Sequence, residues 1–217
     1  MTQFILIRHG ETVWNTERRM QGQQDSPLTP RGLWQAEQLG LRLQQESIHA
    51  LYASDLPRAY RTAQAIADVT GHAIVMDERL RERHFGVFEG MTYADMVTTH
   101  PQIYQQFKAR DPNYAVPGGE SPAAFDQRIR ATLEEIGARH PEQTVAIVTH
   151  GLVLDIAYRV AQGLDLVAER PVPLVNASLN WFDWDGERWH AGRWGDADHL
   201  GPDGVTIHQP GSFMREA

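Results

Sequence analysis

Four short stretches put chemistry-bearing side chains directly after apolar runs. Arg8-His9-Gly10 follows Phe4 to Ile7, and Ser54-Asp55-Leu56-Pro57-Arg58 follows Ala50 to Ala53. Arg81-Glu82-Arg83-His84 comes after Ile74 to Met76, and Thr149-His150-Gly151 follows Val145 to Val148. Each has an ordinary explanation when taken alone. A histidine at a strand end is usually a hydrogen-bonded structural residue, and this chain has 10 histidines. An arginine in a first helical turn is usually solvated, and there it opposes the helix dipole. Glu82 between two arginines reads as a surface ion pair. The conjunction is another matter. If the runs are parallel strands, two histidines, two arginines and a glutamate meet at the carboxyl edge of one sheet, where open α/β sheets bind ligands. Clustered arginines repel one another unless an anion sits between them.

Phosphate suits such a space. Arginine offers a planar fork that bonds phosphate oxygens in pairs. The helical turns after Arg58 and Gly151 add backbone N–H groups and a positive dipole. One histidine could attack phosphorus while the other neutralises oxygens, provided the attacking ring has its other nitrogen hydrogen-bonded. Glu82 would protonate the departing oxygen and later take a proton from water. That role needs a raised pKa, which a neighbouring phosphate dianion supplies. Zinc is the competing use for two histidines and a carboxylate, but arginines would repel a divalent cation and no His-x-His or HExxH spacing occurs. No Walker-type GxxxxGK[ST] is present, and Gly118-Gly119 reads as a turn before a helix beginning at Ser121-Pro122. We expect no metal.

The elements that must hold these residues follow from periodicity. Leu33, Ala36, Leu39 and Leu43 recur at helical spacing behind Thr29-Pro30, a natural N-cap and first-turn pair. Ala59, Ala63, Ile66 and Ala67 mark a second helix that Gly71 stops. Phe125, Ile129, Leu133 and Ile136 mark a long third, and Leu152, Val153, Ile156 and Val160 a fourth. Strands alternating with helices predict an α/β three-layer sandwich: a mostly parallel central sheet covered on both faces. Leu174 to Phe182 and Trp189 to Trp194 flank an Asp-Gly turn and predict a C-terminal antiparallel hairpin. Residues 84–120 fit the rhythm poorly, with short helices expected at 91–99 and 103–110, and read as a small helical cover over one end of the sheet. The expectation is one domain over 1–217, with residues 201–217 as a loose tail.

Composition narrows the partners. The chain has 217 residues, no cysteine and a formal net charge of −8. Thiolate metal sites, disulfides and cysteine nucleophiles are excluded. An acidic chain is not expected to bind nucleic acid. No apolar run approaches the ~20 residues of a membrane span, and the start lacks the basic and long apolar segments of a signal peptide, so a cytoplasmic protein without membrane contact is expected. Trp181, Trp184, Trp189 and Trp194 cluster in the hairpin. They suit cross-strand packing, or else an exposed face for a second copy of the chain as a homodimer.

The motifs in order match a known group. "LIRHGETVWN" resembles the opening motif of the histidine phosphatase superfamily, which includes the cofactor-dependent phosphoglycerate mutases; "SDLPRAYRTAQAI" is similar to its second arginine motif. "LRERHFGVFEGMTYADM" is similar to the segment with its proton donor, "GGESPAAFDQRI" to the start of its late helix, and "VAIVTHGLVL" to its second histidine motif. The resemblance covers most of residues 3–200. It implies that His9 is the nucleophile, forming a phosphohistidine, that Arg8, Arg58 and His150 bind phosphoryl oxygens, and that Glu82 is acid and then base. Asn15, Gln21 and Gly22 match loop positions lining the phosphate or substrate pocket, with Gly151 at the helix start. It implies a reaction without metal and a small phosphorylated substrate.

A phosphatase admits water to the phosphohistidine, whereas a mutase returns the phosphoryl group to another oxygen. By resemblance, mutases bind the phosphoglycerate carboxylate partly through an adjacent arginine pair in the cover. Here residues 84–120 hold only Lys108 and Arg110 as cations, and the chain's one Arg-Arg pair is Arg18-Arg19. The cover instead carries Phe85, Phe88, Met91, Tyr93, Met96, Tyr104, Phe107 and Tyr114, most of which should pack it onto the core. The expectation is therefore a phosphatase of small phosphomonoesters that needs no cofactor. A mutase, which would use 2,3-bisphosphoglycerate, is the alternative, and a phospho-ligand binding module without turnover is a minor one.

Overall fold

The computed structural model describes residues 1–205 and the backbone of residues 207 and 208. Its centre is strand β1, Thr2–Arg8, whose alternation sends Phe4 and Leu6 to one face and Ile5 and Ile7 to the other. All four are essentially unexposed. A strand covered on both sides reads as an unbroken apolar run for this reason. Burying each such side chain contributes about 1.5–3 kcal/mol. Strand β2, Ala50–Ala53, and edge strand β3, Ile74–Met76, run parallel to each other; β4, Thr144–Thr149, lies parallel between β1 and β2.

The chain then changes direction. Strand β5, Leu174–Val175, leaves the main sheet and pairs antiparallel with residues 207 and 208. Strand β6, Leu179–Trp184, runs antiparallel beside β1, and β7, Trp189–Ala191, completes the hairpin. The six-stranded order is β3-β2-β4-β1-β6-β7. At the hairpin tip Asp185 Oδ1 accepts from the N–H groups of Glu187 and Arg188, and Gly186 takes φ 106°. The tryptophans of this hairpin are not an exposed patch. Trp189 packs 5.1 Å from Phe4 and 6.2 Å from Trp184, Trp194 lies edge-on to Tyr158 at 4.9 Å, and Arg193 stacks on Trp181 at 4.3 Å.

Helices cover both faces. After the short turn α1, Val13–Thr16, come α2, Pro30–Leu43, and α3, Pro57–Thr70, both packed on the Ile5 and Ile7 side. Thr29 caps α2 by accepting from the Gly32 N–H, Pro30 opens it, and Gly71 ends α3 at φ 75°. One member of the expected α2 stripe is out of place: Leu33 is 47% exposed. It lies on the edge of the stripe, and the buried face instead includes Gln35, whose Oε1 accepts from Glu11 N and whose Nε2 donates to Gly204 O. A buried amide with both ends satisfied is tolerated where an apolar residue was expected.

Helices α4, Tyr93–Thr99, and α5, Pro101–Lys108, form the excursion, where Phe85, Phe88, Met96, Tyr104 and Val116 make a small core of their own. Helices α6, Pro122–Arg139, and α7, Gly151–Gln162, pack on the Phe4 and Leu6 face. Of the tail, Gly201–Gly204 form a helical turn, α8, with Gly204 buried. The tail expectation for residue 206 and residues 209–217 lies outside the described residues. Among the described residues, no helix is long and apolar enough to cross a membrane.

Candidate active site

Register builds the site. β1 and β4 are parallel with Arg8 opposite Thr149, so the residues that follow, His9 and His150, emerge side by side. Their rings lie 5.3 Å apart. β2 ends one strand further over, and Ser54 Oγ lies 2.8 Å from His150 Nε2. His9 N still donates to Thr149 O at 3.0 Å, after which the chain turns away. The turn depends on Gly10, though not through backbone freedom. A Cβ there would stand 2.4 Å from the carbonyl oxygen of Gly32, in the first turn of α2. Lack of a side chain lets α2 start against the exit of β1.

The two rings are held in different ways. His9 Nδ1 donates to its neighbour's carbonyl, Gly10 O, at 2.7 Å. A carbonyl can only accept, so this bond places the hydrogen on Nδ1 and the lone pair on Nε2. The Gly10 position is held in turn by Thr62, whose Oγ1 accepts from Gly10 N at 3.1 Å. His150 is fully buried, and its pKa lies well below the usual 6.5, through burial first and then the charges of Arg58, His9 and Arg8. It is neutral at pH 7, and its Nδ1 is buried without a protein partner.

The arginines are pinned but incompletely used. Arg8 Nη1 donates to Leu174 O at 2.9 Å. Arg58 donates to Gly22 O and Gln24 O, each at 2.7 Å, and lies 3.2 Å from Asp25 Oδ1. The Nε of each is buried and has no protein partner. Burial pulls the Arg8 pKa down to about 9, against the pull of Glu82, and Arg170 and Arg58 lower it further. Burial also lowers Arg58, with Asp25 opposing. Two cations in that state gain most from an anion that replaces lost solvation.

Glu82 faces them. Its Oε1 accepts from Arg83 N at 2.8 Å and its Oε2 from Leu152 N, in the first turn of α7, at 3.1 Å. Part of its surface opens to the pocket, yet dense protein surrounds it, and burial raises its pKa above the usual carboxylate value despite those two bonds and the nearby Arg58 and Arg8. A carboxyl that stays protonated at higher pH suits proton donation. Glu89, the other acid of this segment, does something else. Its carboxylate accepts from the N–H groups of Gln23, Gln24 and Phe85, at 2.8, 3.2 and 2.9 Å. That network shapes the loop whose carbonyls hold Arg58. Gly22 in this loop has φ +54°, and a Cβ would lie 2.0 Å from Glu89 Oε1.

These residues open into one cavity of about 570 Å³, lined by Arg8, His9, Asn15, Gln21, Gly22, Arg58, Glu82 and Gly151. His150, fully buried beside His9, is not among the lining residues. A side chain at Gly151 would press on Leu174 Cδ1 at 3.1 Å and approach Arg8 Nε at 3.5 Å. Gln21 Oε1 is buried with no protein partner. Asn15 Oδ1 accepts from Thr12 N and from Asn176 Nδ2. Among the described residues, no three side chains of His, Asp or Glu gather as a metal-ligand set.

A model of the histidine phosphatase superfamily, branch 1, matches residues 4–197. The chain belongs to this superfamily. A probable phosphoglycerate mutase GpmB from Erwinia tasmaniensis is 38% identical over 205 residues, 92% of this chain and 95% of that protein. Among solved structures, Bacillus stearothermophilus YhfR shares 37% identity and a TM-score of 0.82, covering 92% of this chain and 99% of that one. A mycobacterial glucosyl-3-phosphoglycerate phosphatase shares 30% identity and a TM-score of 0.78, covering 90% and 99%. Relatives of this chain thus carry the names of both phosphatases and mutases.

The rest of the pocket adds charge that the cover's composition does not hold. Cations are not scarce here: eight arginines and four carboxylates line the cavity, in a chain of net charge −8. Arg83 and Arg110 come from the segment around the cover, Arg18 and Arg19 from the loop after α1, and Arg170 from the loop after α7. Of the cover's large apolar and aromatic residues, Phe85, Tyr93, Phe107 and Tyr114 line the cavity, while Phe88, Met96 and Tyr104 pack the excursion. Sequence reasoning also missed Asn176. It is fully buried, and its Nδ2 donates to His9 O at 2.9 Å as well as to Asn15. No local pattern announces it.

Proposed function

We propose that this histidine phosphatase hydrolyses small phosphomonoesters without metal, through a phosphohistidine on His9. The observation that carries the reading is the 2.7 Å bond from His9 Nδ1 to Gly10 O, which leaves Nε2 as the nucleophilic nitrogen in a pocket flanked by Arg8, Arg58 and Glu82. In the first step Nε2 bonds to phosphorus, the bond from phosphorus to the ester oxygen breaks, and the Glu82 carboxyl gives its proton to that oxygen. In the second, water attacks phosphorus, Glu82 takes back a proton, and the N–P bond breaks to restore His9. Arg8, Arg58 and His150 offset charge on the three phosphoryl oxygens, which is electrostatic stabilisation by groups already in place. His150 enters neutral, and it donates from Nδ1 once the dianion raises its pKa.

A second reading, transfer of the phosphoryl group to another substrate oxygen, is favoured by the extra pocket arginines and by similarity to the probable phosphoglycerate mutase GpmB. The deciding assay is run in EDTA. It compares phosphate release from a panel of phosphomonoesters with isomerisation of 3-phosphoglycerate, with and without 2,3-bisphosphoglycerate. Release without isomerisation supports the phosphatase; isomerisation that outpaces release overturns it in favour of the mutase.

A further inference from the structure

Residues 163–173 join α7 to β5 along the rim of the cavity, and Leu166, Ala168, Glu169 and Arg170 form part of its wall. Two arginines stitch this strap to α7. Arg159 donates from Nη1 to Asp165 O, and from Nη2 to Ala168 O at 2.9 Å. Arg170 reaches back and donates from Nε to Asp155 Oδ1 at 3.1 Å, while the other oxygen of Asp155 accepts from Arg159 Nε at 3.0 Å. One buried carboxylate therefore lies between two guanidinium groups and balances only one of their charges. The side chain of Arg170 is 19% exposed, and among the described residues its two terminal nitrogens meet no acceptor.

In the proposed chemistry Arg8, Arg58 and His150 take the phosphoryl oxygens, and Arg170 stands near enough for its charge to be felt at Arg8. The Arg170 guanidinium lines the cavity, anchored by a bond that uses Nε and leaves the planar Nη edge without an acceptor among the described residues. Arginine is suited to paired recognition of carboxylate or phosphate through such an edge. A leaving alcohol with no charge would leave it unused. We propose that Arg170, preset by Asp155, is a specificity-determining residue that binds a second anionic group carried on the leaving alcohol of the substrate. The inference deepens the phosphatase reading and rests on it.

The test uses substrate pairs that differ in one charge. Glycerol 3-phosphate and 3-phosphoglycerate differ by a neutral hydroxymethyl against a carboxylate. Fructose 6-phosphate and fructose 1,6-bisphosphate add a second phosphate, so the two pairs distinguish the source of the anion. The wild-type protein should prefer the more anionic member of at least one pair. Arg170→Met should lower that preference, the ratio of kcat/KM values, at least tenfold, and Arg170→Lys should restore part of it. Asp155 stays paired with Arg159 in both variants, so neither leaves a buried carboxylate alone. An unchanged ratio, or equal losses for both members of each pair, overturns the proposal. If the wild-type protein hydrolyses none of the four, the phosphatase reading has failed, and calorimetric binding of the same pairs decides about Arg170 separately. Equal effects of Arg170→Met on both affinities would then reject it.

Discussion

Glu82→Gln separates the two halves of the proposed chemistry. The proposed chemistry gives Glu82 two jobs that an amide cannot perform, of which the first is to supply a proton to the departing oxygen. A positioned general acid contributes about 10²–10⁴ in rate, or about 2.7–5.4 kcal/mol of barrier. That loss applies only where the leaving group needs protonation. The substitution also disturbs the local bonding. Glu82 accepts from two backbone N–H groups, of Arg83 and Leu152, and a glutamine must turn its own NH₂ toward one of them. A lost bond of this kind costs about 1–3 kcal/mol, offset in part because glutamine carries no buried charge. The assay is therefore first-turnover kinetics on protein confirmed as folded by thermal denaturation. The initial burst of p-nitrophenol from p-nitrophenyl phosphate should stay within about tenfold of wild type, since that leaving group departs as the anion. First turnover of glycerol 3-phosphate should fall by ~10²–10⁴. Later turnovers should slow for both, because water attack also needs Glu82. Equal losses in the two first turnovers would refute the assignment of Glu82 as the acid.

Glu89→Gln should act through shape. Its carboxylate organises three backbone N–H groups, so the variant should lose about 1–3 kcal/mol in thermal or urea unfolding and slow both substrates by one common factor. A loss confined to poor leaving groups would make Glu89 the acid instead. The buried neutral His150 predicts a pH effect on the ligand-free protein. A histidine whose folded pKa is depressed costs stability as pH falls through its unfolded value near 6.5, by at most about 1.4 kcal/mol per pH unit. Tm should therefore drop between pH 7 and pH 5.5, and His150→Asn should flatten the drop; an unaltered profile in the variant would contradict the burial argument. The raised pKa of Glu82 predicts that turnover of alkyl phosphates falls on the alkaline side, at a pH above the ordinary carboxylate range. A rate that instead rises through that limb would show that Glu82 acts first as a base.

The parts of this molecule that could be read from sequence are those set by local pattern plus one topological rule. His9, His150, Arg58 and Glu82 could be placed together because each follows a recognisable strand, and parallel strands end on one edge. The caps at Thr29 and Ser121 and the stop at Gly71 were equally local. What escaped depends on contacts distant in the chain. Leu33 carries an apolar side chain at helical spacing yet faces outward, and Gln35 takes the buried position because Glu11 and Gly204 satisfy its amide. The reason for glycine at position 10 is a contact with Gly32, distant in the chain. The pocket's arginines are scattered along the chain from Arg8 to Arg170, so a count within the cover takes in only part of its positive charge. Asn176 lies beside no motif and reaches His9 only because β6 folds back against β1.

The central claim is a covalent phosphoryl bond to His9, and trapping it is the most direct measurement. Protein would be mixed in EDTA with a phosphomonoester bearing labelled phosphate, quenched within one turnover under alkaline conditions, and mapped by mass spectrometry. Glu82→Gln protein would be run in parallel, because slower water attack should let the intermediate accumulate. The account predicts an acid-labile, alkali-stable label on the peptide containing His9, absent from His9→Ala protein. Turnover without any label, or a label on another residue, would contradict it.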